Sequence, residues 1–424
     1  GLEGVPIGAY TATATPRVRD DIIAQLGLRD PAVLVGTFDR PNLTYRILPR
    51  VNVQKQVQEV AERHRRGGGG RGVHAGIVYC LSRRETEALA GVLQQRGLAA
   101  AAYHAGMSAP DRARIAADFR SERLDVVVAT VAFGMGIDRP DVRFIVHAGM
   151  PESIEHYQQQ TGRAGRDGEP SECVLLYSSG DIVRWRQLIA LPPSNPDAPP
   201  IDPVVMQSRF EHVEEMHRFA AGGRCRHEAL SAYFGQGYVA PGGADARGCG
   251  ACDVCLGEVR AVEGGQVIAR KILACIARLN SDGRSFGARH AIEVLRGQDT
   301  QGVRMRGHAS LSTYGLLREM DAQRLGSYID QLVDVGCLAR LAGEFPTITL
   351  TPRGASVMKD LDQVRLVEPR VVEEADPTER RRRGGGAGGT ARTRRRCRQA
   401  RANSSSGCGH GARPSPTPAR CRRS

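Results

Sequence analysis

The sequence predicts an α/β chain: a parallel sheet wrapped by helices, then two smaller units, then a disordered basic tail. Three observations carry this. Short apolar runs such as GIVYC (76–80) and DVVVA (125–129) alternate with helical segments. Strands separated by helices of about 10–15 residues give βαβ units and a parallel sheet. Four cysteines gather at 225, 249, 252 and 255, beyond a proline-rich break, and mark a separate module. From residue 380 the composition collapses to Arg, Gly, Ser and Pro, with no apolar periodicity to build a core.

The elements follow in order. IGAYTATAT (7–15) reads as a strand ending in small hydroxyl residues, and Pro16 opens a helix to about Leu26. VLV (33–35) reads as a short strand and FDRPNL (38–43) as a turn-rich crossing. RRGGGGRG (65–72) is a flexible insertion. Strands are expected at 76–80, 99–103, 125–129, 144–147 and 173–177, with helices at 84–96, 109–120 and 154–160 between them. Their near-continuous apolar character is that of strands buried on both faces. Ligands of such sheets sit beyond the carboxyl ends of the strands, so His104, Thr130 and the 159–168 loop are expected along one rim. Residues 191–203 hold six prolines and read as a linker. Helices follow at 205–221 and from Arg224 to about Phe234, then a glycine-rich loop. Helices at 266–279, 288–296 and 325–335 precede two β-like runs, 336–341 and 347–350, a winged-helix pattern. The expected domains are 1–37, 38–190, a linker at 191–203, 204–260, 261–360 and a tail at 361–424.

The formal charge of +13 is unevenly placed. Residues 380–424 hold 14 arginines and no lysine or acid, leaving residues 1–379 at about −1. The charge of the folded part is therefore no argument for nucleic acid. No stretch reaches the roughly 18 apolar residues of a membrane span. The opening GLEG lacks a leader's basic segment and a Met, so we expect a chain that begins inside a longer protein or is a processed or partial product. Eleven cysteines without a leader point to a reducing compartment rather than a disulfide framework.

Three segments carry chemistry. In QQTGRAGRDG (159–168), Arg163 and Arg166 each follow a glycine and, on a helical turn, would face the same way. Two guanidinium forks so placed suit charge developing on a transferring phosphoryl group. In VVVATVAFGMGIDRPD (126–141), Thr130, Gly134, Gly136 and Asp138 follow a buried strand, where backbone comes close to phosphate or ribose. Cys225, Cys249, Cys252 and Cys255 offer four thiolates, the donor set of a closed structural Zn²⁺ site. A redox Cys-x-x-Cys fits three such closely spaced cysteines poorly.

Taken together, residues 11–353 resemble the RecQ helicases. TATAT (11–15), IVYCLSR (77–83), YHAGM (103–107), 130–138 and 159–168 match helicase motifs in order, and the cysteines and 264–360 match the family's zinc module and winged helix. The resemblance implies a RecA-like lobe, a helical zinc-binding module and a winged helix. It implies ATP and Mg²⁺ clamped between two lobes, with 3′-to-5′ movement on DNA. Arg163 and Arg166 would reach the γ-phosphate, and Gln159, Gly136, Asp138 and Gly162 would line the nucleotide site. Thr130, Ser82, Arg83 and His104 would lie near the DNA backbone, held without reading sequence. A hairpin tip at 342–346 would help split duplex. Implied partners are single-stranded and duplex DNA, a single-stranded-DNA-binding protein and repair factors, in bacterial cytoplasm at the nucleoid and away from membranes.

There are departures. No G-x-x-x-x-G-K-[ST] loop or Asp-Glu-x-His box occurs, and none of the three lysines, Lys55, Lys271 and Lys359, follows a glycine. Gln160 stands where the family usually has Glu, and the arginine tail stands where a C-terminal helical DNA-binding domain is expected. Two functions follow: part of an ATP-driven helicase, inactive alone, or a non-enzymatic DNA-binding protein built from lobe, zinc module and winged helix. The tail is either a salt-sensitive DNA-binding arm or a high-GC frame read out of register.

Overall fold

The computed structural model describes residues 7–66, 72–133, 139–192, 201–241, 243, 248–341 and 347–368. All belong to one compact unit, Gly1–Val372. The second unit, Glu373–Ser424, falls outside the described residues, as do 67–71, 193–200 and the hairpin tip 342–346.

Helix α1 (Pro16–Gln25) is started by Pro16 and capped by Thr15, whose hydroxyl accepts from the Val18 N–H. The strands expected at 7–15 and 33–35 do not form. Tyr10 is 97% and Leu34 95% exposed, and among the described residues no strand lies beside either segment. Their backbone groups have no ladder to join.

The sheet begins with a strand the sequence reading missed, β1 (Leu43–Pro49), followed by α2 (Val53–Arg63). β1 alternates buried and half-buried residues and ends in a proline, the character of an edge strand. Then come β2 (Gly76–Tyr79), α3 (Arg83–Gln95), β3 (Ala100–Tyr103), α4 (Ala109–Arg120), β4 (Val126–Ala129), β5 (Phe144–His147), α5 (Ile154–Thr161), β6 (Ser171–Tyr177) and α6 (Gly180–Ala190). All six strands are parallel, in the order β1-β6-β5-β2-β4-β3. β2, β4, β5 and β6 are buried along their whole length, which is why they read as unbroken apolar runs.

The two faces build two cores. Val78, Val128, Val146 and Val174 pack with Val57 and Val60 of α2 and Leu89 and Leu93 of α3. Ile77, Val127, Ile145 and Leu175 belong to a core that continues through α7 (Pro203–Ala221) and α8 (Arg226–Tyr233) into the cysteine loop. That loop extends the sheet at its β1 edge: Tyr45 bridges Cys252, and Asp253 N–H donates to the Tyr45 carbonyl at 2.9 Å.

The last unit has its own core, with Ile272, Ile276, Val294, Tyr328, Ile329 and Val357. It comprises α9 (Gly265–Leu279), α10 (Ala288–Leu295), the short α11 (Gln301–Met305), α12 (Ala322–Asp334), β7 (Leu338–Leu341), β8 (Thr347–Leu350) and α13 (Pro352–Met358). β7 and β8 form the expected antiparallel hairpin, and α12 packs on α7.

Candidate functional site

The carboxyl edge gathers four expected residues. Ser82 and Arg83 follow β2, His104 follows β3 and Thr130 follows β4, and β2, β4 and β3 are neighbours. Ser82 caps α3 in a reciprocal capping box with Glu85, and Arg83 is exposed over Gly106. His104 is buried, with Nε2 3.0 Å from the Glu87 carboxylate. The Thr130 N–H donates to the Tyr103 carbonyl at 3.2 Å.

Contrary to expectation, only Arg163 of the arginine loop reaches that rim, bonding Tyr79 at the end of β2, whose hydroxyl donates to Phe133 O in the turn after β4. Helix α5 runs back across the sheet face, so its end delivers 162–168 towards the amino edge. Gly165 N–H donates to Val142 O at 2.9 Å and Arg166 N–H to Pro140 O at 3.1 Å, both residues ahead of β5. Nor do Arg163 and Arg166 share a helical turn. α5 ends at Thr161 with Gly162 as its cap, and Gly165 takes φ +52°. A Cβ at Gly165 would sit 2.5 Å from Asn42 Nδ2, 2.7 Å from Glu169 O and 2.8 Å from Ser171 Oγ, so glycine is required twice over.

Tyr79, which ends β2, bonds Arg163 and feels the charge of Arg166. Burial pushes its phenol up to about 12, against the charge of Arg163, a hydrogen bond from Arg163 and the charge of Arg166. Tyr79 stacks on His147 at 5.4 Å, and His147 Nε2 lies 2.7 Å from Gln160 Oε1. Burial lowers His147 to about 4, so it is neutral and Nε2–H donates to the amide oxygen. Gln160 therefore serves a neutral, buried partner. Tyr79 and His147 escaped the sequence reading, although a histidine closing the apolar run FIVH was a visible signal.

Gln159 is exposed on α5, and Gly162 is half-buried. Gly136 and Asp138, with Gly134, lie outside the described residues.

The loop is clamped from below. Arg40 donates to Ala164 O at 3.0 Å and Gly165 O at 2.6 Å, and Asn42 donates to Gly165 O at 2.8 Å. Arg143 pairs with Asp167 at its far end.

The four cysteine sulfurs all lie within 4.8 Å of one another. Cys225 opens α8, and the other three lie on the loop beyond. Gly248, at φ +91°, lies where a side chain would strike Cys255 Sγ. Hydrogen bonds from Cys225 and Cys249 lower the Cys252 thiol, while Cys225 and Cys252 push the Cys249 thiol up. Four soft donors this close fit one tetrahedral Zn²⁺. Beside them Arg226 and Asp253 form a buried ion pair at 2.9 Å. Among the described residues no helix is long and apolar enough to cross a membrane.

Comparisons with known proteins fall on the same three regions. Residues 69–168 match the helicase conserved C-terminal domain, 179–256 the RecQ zinc-binding family and 261–375 the RQC domain. The chain is 37% identical over 369 residues to the ATP-dependent DNA helicase RecQ of Haemophilus influenzae, covering 86% of this chain and 55% of that one. For the ATP-dependent DNA helicase RecQ of Bacillus subtilis the values are 32% over 353 residues, 83% and 55%. For the RecQ-like DNA helicase BLM of Xenopus laevis they are 39% over 261 residues, 61% and 18%. The chain spans about half the length of the two bacterial relatives. Its parallel lobe, four-cysteine module and RQC domain, in this order, make it a member of the RecQ helicase family.

Proposed function

We propose that this chain supplies the second motor lobe, the zinc module and the winged helix of an ATP-driven 3′-to-5′ DNA helicase of recombination and repair. The observation that carries this reading is the arginine loop. Arg163 hydrogen-bonds the Tyr79 phenol and Arg166 adds its charge there, on a loop whose backbone carbonyls are held by Arg40 and Asn42 and whose Asp167 is paired with Arg143. Fixed cations need no reorganisation when charge builds on a transferring phosphoryl group. On this reading Gln159, Gly162, Gly136 and Asp138 face ATP and its Mg²⁺, which a first lobe holds from the other side. Ser82, Arg83, His104 and Thr130 hold the backbone of single-stranded DNA on the carboxyl rim. His104 Nδ1, buried and without a protein partner among the described residues, is suited to that task. When bound at the four cysteines, Zn²⁺ ties the start of α8 to its loop. The winged helix holds duplex, with 342–346 at the strand junction. A single-stranded-DNA-binding protein and repair factors are the further partners, and the bacterial nucleoid is the place of action.

The chain by itself does not hydrolyse ATP on this reading, since it holds no lysine-bearing phosphate loop. The test has two parts. The purified chain should bind single-stranded and duplex DNA, more weakly as salt rises, with no DNA-stimulated ATPase. In the intact helicase, Arg163→Ala and Arg166→Ala should each lower kcat by about 10³-fold or more while DNA affinity holds. DNA-stimulated hydrolysis by the chain alone, or unchanged kcat in both variants, overturns the proposal. DNA binding with unchanged kcat in both would favour the non-enzymatic binding protein.

A further inference from the structure

The segment 36–42 runs between the zinc module and the arginine loop, and touches both. At its start, Gln236, beyond α8, accepts from the Phe38 N–H at 2.9 Å and donates to Gly36 O at 2.7 Å. Phe38 stacks flat on Phe234 with centroids 4.3 Å apart. Asp39 Oδ1 lies 2.6 Å from His227 Nδ1 on α8. His227 is itself fixed, with Nε2 3.1 Å from Leu43 O and 3.3 Å from Ala251 O. The next residue, Arg40, turns the other way, onto the carbonyls of Ala164 and Gly165. Asn42 adds its amide to the carbonyls of Gly165 and Glu169, at 2.8 and 3.0 Å.

This arrangement meets a specific need. Gly165 holds a left-handed turn outside helix and strand, and the Ala164 and Gly165 carbonyls take Arg40, Gly165 O also accepting from the Gly168 N–H at 3.0 Å. A turn of that kind keeps one geometry only when its surroundings over-determine it. The guanidinium fork and the amide supply those surroundings, immediately between Arg163 and Arg166. We propose that Arg40 and Asn42 are positioning residues for the arginine loop, and that α8 of the zinc module sets them in place through Phe38 and Asp39. The importance of the loop rests on the helicase reading above, but the coupling itself does not require nucleotide.

Hydrogen–deuterium exchange on the whole chain tests it. Arg40→Ala should speed exchange of the Gly165 and Arg166 amides by about tenfold or more, while β2 and β4 exchange as before. Arg40→Lys, which keeps a donor without the fork, should recover part of that protection. Asp39→Ala, a half-exposed position, should speed the same amides from the other end of the segment. Unchanged exchange over 162–168 in Arg40→Ala overturns the positioning role. Unchanged exchange in Asp39→Ala overturns the link to α8. If both respond as expected but Arg163→Ala leaves the intact helicase at full kcat, the helicase reading of the loop fails and the coupling stands.

Discussion

Replacing Asp253 by Asn removes one charge and almost no volume, and it should be among the most damaging single changes in the chain. Arg226 has a side chain 1% exposed and Asp253 one 2% exposed. The guanidinium meets Asp253 Oδ1 at 2.9 Å, Oδ2 at 3.4 Å and Phe219 O at 2.7 Å. Oδ1 also accepts from the Val254 N–H at 2.9 Å, and Oδ2 from the Ile47 N–H at 3.1 Å. Both oxygens are thus surrounded by donors. An asparagine amide must turn its NH₂ towards one of these sets, so donor meets donor in either orientation, and Arg226 keeps its charge without its hydrogen-bonded counter-ion. Breaking one side of a buried pair costs about 3–5 kcal/mol. That is a large share of the roughly 5–15 kcal/mol by which domains are stable. With an m-value of about 3 kcal/mol/M the urea midpoint should fall by about 1–1.7 M. Trp185 is the sole tryptophan and packs against the same continuous core, so its fluorescence follows the transition. The double variant Arg226→Met/Asp253→Leu, which removes both charges, should recover more than half of the loss. A midpoint shift below about 0.3 M in Asp253→Asn would refute the argument.

Three further outcomes are expected. Glu172 is buried, which raises its carboxyl, but hydrogen bonds from His64 and Arg63 and the charges of Arg63 and Arg46 outweigh this and bring it from 4.5 to about 2. A depressed carboxyl stabilises above its unfolded value, so on the order of 3 kcal/mol is present above pH 4.5 and is lost as pH falls towards 2. Urea melts at several pH values should show wild type and Glu172→Gln converging at the acid end of that window. Gln160→Glu should place a carboxylate on His147 and lift its pKa from about 4, read by ¹⁵N titration of the ring. An unmoved titration contradicts the pairing of these two side chains. Metal analysis should find one Zn²⁺ per chain and none in Cys252→Ala, with loss of helical signal from α8; full zinc in that variant would place the ion elsewhere.

Much of this was legible in the sequence because it depends on local pattern. Runs such as GIVY and VVVA, short and mostly β-branched, read as strands buried on both faces, and Ser82 and Pro16 mark helix starts through their own chemistry. Cysteine spacing announced the metal site for the same reason, since three ligands sit on one short loop. Edge strand β1 stayed hidden because its start directly follows the turn-rich 38–43 crossing and its partner β6 is distant in sequence. The segments 7–15 and 33–35 carry strand-like residues yet form no strand, since a strand exists only beside another.

For the arginine loop, the sequence determined its residue types: three glycines, two arginines and the departure at Gln160. The tertiary structure decided where they act. Arg163 and Arg166 do not share a helical turn, because Gly165 breaks it between them. Arg163 bonds Tyr79, 84 residues away, and the loop backbone between the arginines is held by Arg40 and Asn42, more than 120 residues away. Contacts at such separations are set by how the sheet is ordered and which face α5 crosses, and no local pattern encodes either.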